Sequence, residues 1–371
     1  MIRAKLIYIS GSIIPSQTAN SVHVMKMCQA FAKNEFDVDL LAYSFDENEC
    51  AETIFDNYGV CNIFSLTLVG IKSINRKFSK NLFKIAAYLN RHNRKTIVYG
   101  REVNSLLLAA MLGFKVYYES HGMPVSKFHE AVEKFLFKSK NLVKIVVISD
   151  KLKNLYIDGN FGVPPEKCIV LHDAADIIPQ EMKKTSLGEG FHVGYTGSLY
   201  YEGRGIDLIL EVARKNMDFT FHLVGGSSDE IKYWRKKASK NVVFHGFVDN
   251  RDIPSLLISF DVVLMPYQKN LKFKGMNYSS VEWMSPMKMF EYMSARKAIV
   301  SSDLPVIREI LNEKNSLLVA PKSVEGWSYS IRKLYMNPEF KDAIAGEAYQ
   351  DFSENYTWDK RVERLCIKQL K

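Results

Sequence analysis

Short runs of apolar and β-branched residues recur along the whole chain, separated by segments of helix length. Most of these runs are continuous rather than alternating, which is the pattern of parallel strands that are covered on both faces. The sequence therefore predicts an α/β protein. The predicted strands are residues 5–10, 37–43, 96–100, 115–120, 144–149 and 168–173 in the first half, and 191–198, 220–226, 242–248, 262–267, 297–303 and 316–321 in the second.

The length of the chain, 371 residues, exceeds what one hydrophobic core usually serves, so we expect two domains. Residues 176–190 are polar, contain Pro and Gly, and lack a periodic pattern, as linkers do. We predict a first doubly wound domain over 1–178, a linker over 179–190, a second doubly wound domain over 191–345, and a C-terminal helix over 346–371 that returns to the first domain. Ligands should then bind at the carboxyl ends of the strands, in a cleft between the domains.

The composition is that of an ordinary globular protein, with 47% hydrophobic and 25% charged residues. No apolar run approaches the ~18 residues that a membrane-spanning helix needs, and the N-terminus resembles a strand more than a signal peptide. Five cysteines are scattered without a C-x-x-C pair, which disfavours a metal centre or a disulfide framework. These features predict a cytoplasmic protein without a membrane span.

The positive charge of the chain, formally +9, is concentrated in residues 71–95, which contain eight Lys or Arg and no acid. Apolar residues interleave with the basic ones in a helical pattern. The segment is either a solvated basic helix or a helix that lies on anionic lipid headgroups at the inner face of the membrane. Nucleic-acid binding is disfavoured because no nucleic-acid motif accompanies the segment. The basic residues that would contact lipid or acceptor are Arg76, Lys77, Lys80 and Lys84.

The segment SPMKMFE begins a predicted helix, in which Ser285 is the expected N-cap and Pro286 the first helical residue. The free amides and the dipole of such a helix start form an anion site. Lys288 adds a positive charge in the first turn, and Glu291, on the same face, can accept two hydrogen bonds from a vicinal diol. In a bound nucleotide, the diphosphate would lie at the helix start beside Lys288, and the ribose hydroxyls would donate to Glu291. The alternative is a surface ion pair between Lys288 and Glu291.

Residues 285–310, SPMKMFEYMSARKAIVSSDLPVIREI, resemble the sugar-nucleotide-binding segment of glycosyltransferase family 4, whose members are retaining enzymes of the GT-B fold, with two Rossmann-like domains facing across a cleft. The resemblance implies transfer of a sugar from a nucleotide diphosphate donor, most often a UDP-sugar, to a glycan or lipid-linked acceptor in surface polysaccharide synthesis, without a metal or other cofactor. Further blocks resemble the family in order along the chain: 9–27, 118–124, 146–176, 195–213 and 241–267.

Carried over residue by residue, the resemblance implies that Glu291 holds the donor ribose. It assigns the amides near Gly11 and Ser12 to the diphosphate or the sugar, Arg204 to the diphosphate, and His121 to the donor sugar. The remaining donor contacts implied by the resemblance are the turn at Gly197 and Ser198, the nucleobase border at Phe247 and Val248, and the main chain of Met284, Ser285, Pro286 and Met287.

The sequence departs from the family pattern in two respects, the pair of glutamates and the pair of basic residues. Trp283 stands where the family has the first of two glutamates, and Glu282 beside it has the wrong spacing. Ser198 stands where an arginine is common, and Arg204 where a lysine is usual. We hypothesise that Lys288, in place of a frequent apolar residue, restores the charge lost at Ser198.

Several candidate side chains could have a structural role instead of a functional one. His121 either binds the sugar or caps a turn, Glu119 either orients His121 or ends its strand, and His23 is expected to pack or hydrogen-bond locally. Arg101, with Glu102, either contacts the acceptor or braces its loop, and bracing is favoured.

Two other functions remain open on the sequence: a UDP-sugar epimerase on the same fold, or a non-catalytic polyanion-binding protein derived from a transferase. Analysis of the reaction products distinguishes an epimerase from a transferase. Strongly salt-dependent binding that survives Glu291→Ala would indicate the polyanion-binding protein.

Overall fold

The computed structural model describes residues 3–44, 51–71, 78–159, 161–270 and 279–365. The chain divides into two compact units: unit 1 is Met1–His172 with Trp358–Lys371, and unit 2 is Asp173–Thr357. Unit 2 thus begins at Asp173, earlier than the predicted boundary at 178. The segment between these two positions is hydrogen-bonded to unit 2: the Asp173 amide donates to Ser285 Oγ (2.8 Å) and the Ile178 amide donates to Ser294 Oγ (3.0 Å). The return to unit 1 falls at residue 358, later than the predicted 346.

Unit 1 contains a sheet of seven strands in the order β3-β2-β1-β4-β5-β6-β7, and every strand pair is parallel. The strands are β1 Ala4–Ile13, β2 Phe36–Ser44, β3 Ser65–Ile71, β4 Ile97–Gly100, β5 Lys115–Ser120, β6 Leu142–Val147 and β7 Cys168–Val170. The helices of unit 1 are α1 Ala19–Lys33, α2 Ala51–Asn57, α3 Phe78–Leu89, α4 Val103–Met111, α5 Lys127–Phe137 and α6 Asp150–Asp158, together with the last helix of the chain, Trp358–Arg364, numbered α13.

Unit 2 contains a second parallel sheet, of six strands in the order β10-β9-β8-β11-β12-β13. The strands are β8 Phe191–Thr196, β9 Phe219–Val224, β10 Val242–Gly246, β11 Val262–Met265, β12 Ala298–Ser302 and β13 Leu317–Val319. The helices are α7 Ile206–Lys215, α8 Ser228–Arg235, α9 Ile253–Leu257, α10 Met287–Ser294, α11 Val324–Met336 and α12 Pro338–Asn355. Two clusters of buried apolar side chains form its core.

The strand order reverses between β1 and β4 in unit 1, and between β8 and β11 in unit 2. At such a switch point the loops that leave neighbouring strands run apart, and the crevice between them is the usual ligand site of an open α/β sheet. The carboxyl ends of these four strands are therefore the places to look for functional side chains.

The predicted α/β class is confirmed, and each of the twelve predicted strands coincides with a strand of the structure. The prediction missed β3, Ser65–Ile71, which is the edge strand of the first sheet. Edge position explains the miss, because this strand is only partly buried and its sequence, SLTLVGI, mixes polar residues into the apolar run. Among the described residues, no helix combines the length and the apolar character that crossing a membrane requires.

Candidate active site

The chain turns sharply at Gly197, directly after strand β8, where the backbone φ is 133°. The Gly197 amide donates to the Val224 carbonyl at the end of β9 (2.8 Å). A Cβ atom at residue 197 would lie 2.6 Å from Nζ of Lys288, closer than real Cβ contacts allow. Glycine is therefore required here by the backbone conformation, and a Cβ atom would in addition displace the end of the lysine side chain.

Lys288 directs its ammonium group to the faces of two buried tyrosines. Its Nζ lies 3.9 Å from the ring centroid of Tyr195 and 5.4 Å from that of Tyr267. The Arg204 guanidinium lies 5.9 Å from the same Tyr267 ring. Burial, and secondly the charge of Arg204, hold the pKa of Lys288 well below its usual value, against the opposing effect of Glu291. Unit 2 thus gathers two cationic side chains at the end of β8, its switch point.

Helix α10 begins one residue later than the sequence predicted. Its first residue is Met287 and its N-cap is Pro286, without a side-chain capping bond. The prediction that Ser285 is the N-cap was wrong, because the Ser285 hydroxyl is instead engaged by the Asp173 amide. Lys288 nevertheless lies in the first turn, as predicted. Met284 is buried, whereas Met287 is partly exposed.

Glu291 lies one turn after Lys288 and is partly exposed. Its charge acts on both Lys288 and Tyr267, which places it at the same cluster. The assignment of Glu291 to the donor ribose stays a prediction.

The other predicted donor contacts lie on more exposed surface. Ser198 is exposed, and its carbonyl accepts a hydrogen bond from the Tyr195 hydroxyl (2.8 Å). Phe247 is 46% exposed, and Val248 packs against the core of unit 2. The assignment of Phe247 and Val248 to the nucleobase stays a prediction.

In unit 1, the end of β1 at Gly11 approaches Glu102, directly before α4. Gly11 has φ 65°, and a Cβ atom there would lie 2.9 Å from Cγ of Glu102. Glu102 caps α4 by accepting from the amides of Asn104 (3.2 Å) and Ser105 (2.8 Å), so it braces the loop. The Ser12 hydroxyl and Nη1 of Arg101 are buried, and each lacks a hydrogen-bond partner among the described residues. Ser12 lies near the end of β1, and Arg101 directly follows β4. Both of these polar groups can still bind a ligand.

A buried cluster surrounds Glu119, the residue before the last in β5. Its Oε1 atom lies 2.6 Å from Nε2 of His121, 2.8 Å from Nε2 of His23 and 2.9 Å from Nη2 of Arg361. The Tyr99 hydroxyl donates to the other carboxylate oxygen. Glu119, His23 and Arg361 are each at most 2% exposed. The structure therefore answers the question about Glu119: it contacts His121 directly.

Positive charge around Glu119 decides its protonation. Burial alone would raise the pKa of this carboxyl group, but Arg361 and then His23 overcome that effect and hold the pKa well below its usual value. Burial, and secondly the charge of Arg101, lower the pKa of His121 to about 4. The cluster therefore combines an ionised carboxylate with a neutral imidazole at neutral pH.

His23, Glu119 and His121 are residue types that ligate metals, and their ligand atoms lie within 4.8 Å of one another. However, the Arg361 guanidinium already supplies a positive charge to the shared carboxylate oxygen. A divalent cation at that oxygen would meet the guanidinium at close range. With Arg361, these residues form an ion-pair and hydrogen-bond network, and the absence of a metal stays a prediction.

The sequence interpretation missed Arg361. In the last helix of the chain, Trp358 and Val362 are both buried. Arg361 shares their side of the helix, three residues after Trp358. A charged residue on an apolar helix face was the available signal, because such a residue is rarely buried without a partner.

The predicted lipid-contacting residues are only partly covered by the structure. Arg76 and Lys77, and the side chain of Lys80, lie outside the described residues. Lys84 is exposed, and its neighbour Phe83 in α3 is 75% exposed.

Two family models match the chain in succession. The model described as "Glycosyl transferase 4-like" matches residues 13–149, and the one described as "Glycosyl transferases group 1" matches residues 190–337. The solved structure of HepE from Anabaena in complex with UDP matches with a TM-score of 0.73 and 15% identity, over 98% of this chain and 99% of that one. The fold is accordingly that of the GT-B glycosyltransferases. The chain belongs to the group 1 glycosyltransferases and is a transferase enzyme.

Two relatives are similar in sequence. A protein from the cps region of Klebsiella pneumoniae, named only by its mass of 41.2 kDa, is 25% identical over 63% of this chain and 68% of its own length. TuaH of Bacillus subtilis, which its name assigns provisionally to teichuronic acid biosynthesis as a glycosyltransferase, is 26% identical over 32% of this chain and 28% of its own length.

Proposed function

We propose that this protein is a retaining, metal-independent glycosyltransferase that moves a sugar from a UDP-sugar to a glycan or lipid-linked acceptor in surface polysaccharide synthesis. The observation that carries the proposal is the pair of basic side chains, Lys288 and Arg204, held beside Tyr267 at the switch point of unit 2. The HepE structures with UDP and with UDP-glucose support the choice of nucleobase. The relatives from a cps region and from teichuronic acid biosynthesis support the choice of pathway.

The chemistry follows from where charge develops. Cleavage of the sugar–phosphate bond leaves negative charge on the departing nucleoside diphosphate, and fixed cations and helix amides can stabilise it. Lys288, Arg204 and the first amides of α10 are the groups for this task. Losing one such donor typically costs about 100-fold or more in rate. For retention, we propose that the leaving phosphate itself takes the proton of the acceptor hydroxyl.

Lys288 has a second role in this proposal, as the replacement for the basic residue absent at Ser198. Its ammonium lies immediately beneath the turn that carries Ser198, at the position described for Gly197. If the replacement is real, adding Ser198→Arg to Lys288→Met should restore at least part of the affinity for UDP that Lys288→Met loses. Ser198→Arg in the otherwise unchanged chain should alter that affinity much less.

Association with membrane is part of the same proposal, and the structure suggests a surface for it. Helices α3, α4 and α5 pack side by side in unit 1. They carry large apolar side chains that are 63–77% accessible, and exposed lysines that include Lys84, Lys127 and Lys138. These side chains are Phe83, Met111, Phe128 and Phe135. A surface of this kind matches an anionic lipid interface, where apolar side chains insert and basic ones meet headgroups.

The test begins with thermal shifts of the purified chain in UDP-, GDP- and ADP-sugars, and continues with product analysis with and without a membrane extract. We expect stabilisation by UDP-sugars, a glycosylated acceptor in the extract, the donor's anomeric configuration in the product, and unchanged turnover in EDTA. Glu291→Gln should weaken donor binding, whereas Glu282→Gln, an exposed neighbour, should not.

Other outcomes would replace the proposal. Release of free nucleotide with an epimerised sugar, independent of any acceptor, would indicate an epimerase. Salt-sensitive polyanion binding that survives Glu291→Ala, without sugar-nucleotide binding, would indicate a non-catalytic binding protein. Turnover lost in EDTA and restored by a divalent cation would end the claim of metal independence.

A further inference from the structure

The Glu119 carboxylate has an unusual number of donors on one atom. Two imidazole Nε2 atoms and one guanidinium nitrogen converge on Oε1, at distances of 2.6 to 2.9 Å. An ionised carboxylate can only accept hydrogen bonds, so Nε2 of His121, which is hydrogen-bonded to it, must carry the proton. The contacts of Glu119 thereby fix which nitrogen of His121 is protonated.

Arg361 is the group that keeps this carboxylate ionised. Besides Glu119, its guanidinium donates to the carbonyls of His172 (2.9 Å) and Leu171 (3.1 Å), which fix its position in a fully buried site. A guanidinium does not lose its proton in proteins, so this positive charge is permanent. Arg361 also comes from the C-terminal helix α13, more than 200 residues away in sequence.

Whereas Glu119 fixes the proton of His121, His23 fixes the orientation of the His121 ring. The two rings meet edge to face with centroids 4.8 Å apart, and His23 meets Trp358 of α13 in the same way at 5.1 Å. The plane of the His121 imidazole is thus held from one side by His23 and along its Nε2 direction by Glu119.

We propose that Glu119 and Arg361 are positioning residues that hold His121 as the neutral Nε2–H tautomer, so that its Nδ1 atom accepts a hydrogen bond from a hydroxyl group of the bound sugar. The inference rests on the proposed function only for the identity of the ligand as a sugar. In this arrangement His121 is an acceptor and not an acid, since its one proton is committed to Glu119. The low pKa of His121 agrees with the geometry.

The tautomer is tested first in the wild-type full chain, by two-bond ¹⁵N–¹H correlation of histidine side chains near neutral pH. The expected spectrum assigns the proton of His121 to Nε2. A proton on Nδ1 would overturn the inference, and this measurement needs no variant and no substrate.

Variants then test the role of the cluster. In Glu119→Gln, a neutral amide replaces the carboxylate and is a weaker acceptor for the nitrogens that converge on Oε1, so we expect a mixture of His121 tautomers. With UDP-glucose as the probe, kcat should fall about 10- to 100-fold, the loss of one charged hydrogen bond, and KM should change much less. Arg361→Lys, which keeps the cation, should retain more activity and more of the single tautomer than Arg361→Met.

Glu133→Gln is the matched control, since Glu133 is another buried acid of unit 1 and its carboxylate accepts from Tyr118 and Tyr156 instead. We expect this control to leave the His121 tautomer and kcat unchanged. An equal effect of both Gln variants would overturn the inference. If the tautomer responds to Glu119→Gln but UDP-glucose is neither bound nor turned over, the positioning role stands and the proposed donor fails.

Discussion

Nζ of Lys288 lies beneath Gly197, 2.6 Å from the position that a Cβ atom at residue 197 would occupy. The turn after the first strand of unit 2 and the first turn of α10 are therefore matched to each other. The lysine occupies the space that every other residue type at 197 would fill.

Gly197→Ala should consequently weaken the binding of UDP as well as the fold. The positive φ alone costs about 1–3 kcal/mol of stability, and displacement of Lys288 should lower UDP affinity by about tenfold or more. Gly188→Ala is the control, because Gly188 also has a positive φ (90°) but open space around its Cβ position. Calorimetric titration with UDP should show a loss in the first variant alone. Equal affinities of the two variants would contradict the role of the Lys288 contact.

Binding of UDP should be accompanied by proton uptake at Lys288. Its pKa is well below the usual value in the free protein, and a diphosphate close to the amine favours the charged form and raises that pKa. UDP affinity should therefore fall as pH rises. Titrations in buffers of different ionisation enthalpy measure the proton count, which Lys288→Met should abolish. Lys297→Met is the control, since burial lowers the pKa of Lys297 to about 8 in the same unit. Uptake that persists in Lys288→Met would refute the assignment.

Glu133 should make the stability of unit 1 depend on pH. Burial raises the pKa of this carboxyl group from 4.5 to about 7, so the folded protein holds the proton more tightly than the unfolded chain. The favourable contribution is complete below pH 4.5 and is lost as pH rises through about 7, a difference of about 3 kcal/mol. Denaturant unfolding at several pH values should show this loss in the wild type but not in Glu133→Gln. Glu130→Gln, on the partly exposed side of α5, should keep the wild-type slope.

The exposed aromatic side chains of α5 should contribute to membrane association. Replacing both Phe128 and Phe135 by Ala removes apolar area that would insert into the interface, so binding to vesicles containing anionic phosphatidylglycerol should weaken by about tenfold or more. The control is Tyr329→Ala with Met336→Ala, two similarly exposed residues of α11 in unit 2. Cosedimentation measures both pairs. Equal binding to zwitterionic vesicles, or equal loss in the control pair, would contradict the proposed surface.

The sequence by itself predicted every strand except β3, the parallel arrangement of the strands and the presence of two units, but not the boundaries of those units. Continuous apolar runs separated by helix-length segments have few other solutions, because both faces of such strands must be covered. The segment around Lys288 also indicated Glu291, and the family resemblance added Arg204 and the sugar-binding role of His121.

Only the tertiary structure decided what those residues contact. The Asp173 amide takes the hydroxyl of Ser285 away from the helix start, a bond between residues 112 positions apart that no local pattern encodes. Arg361 reaches Glu119 across 242 positions. Sequence periodicity reports which face of an element is buried. The partner that a buried polar group finds there depends on how distant elements pack, and this packing fixes the charge of Glu119 and the proton of His121.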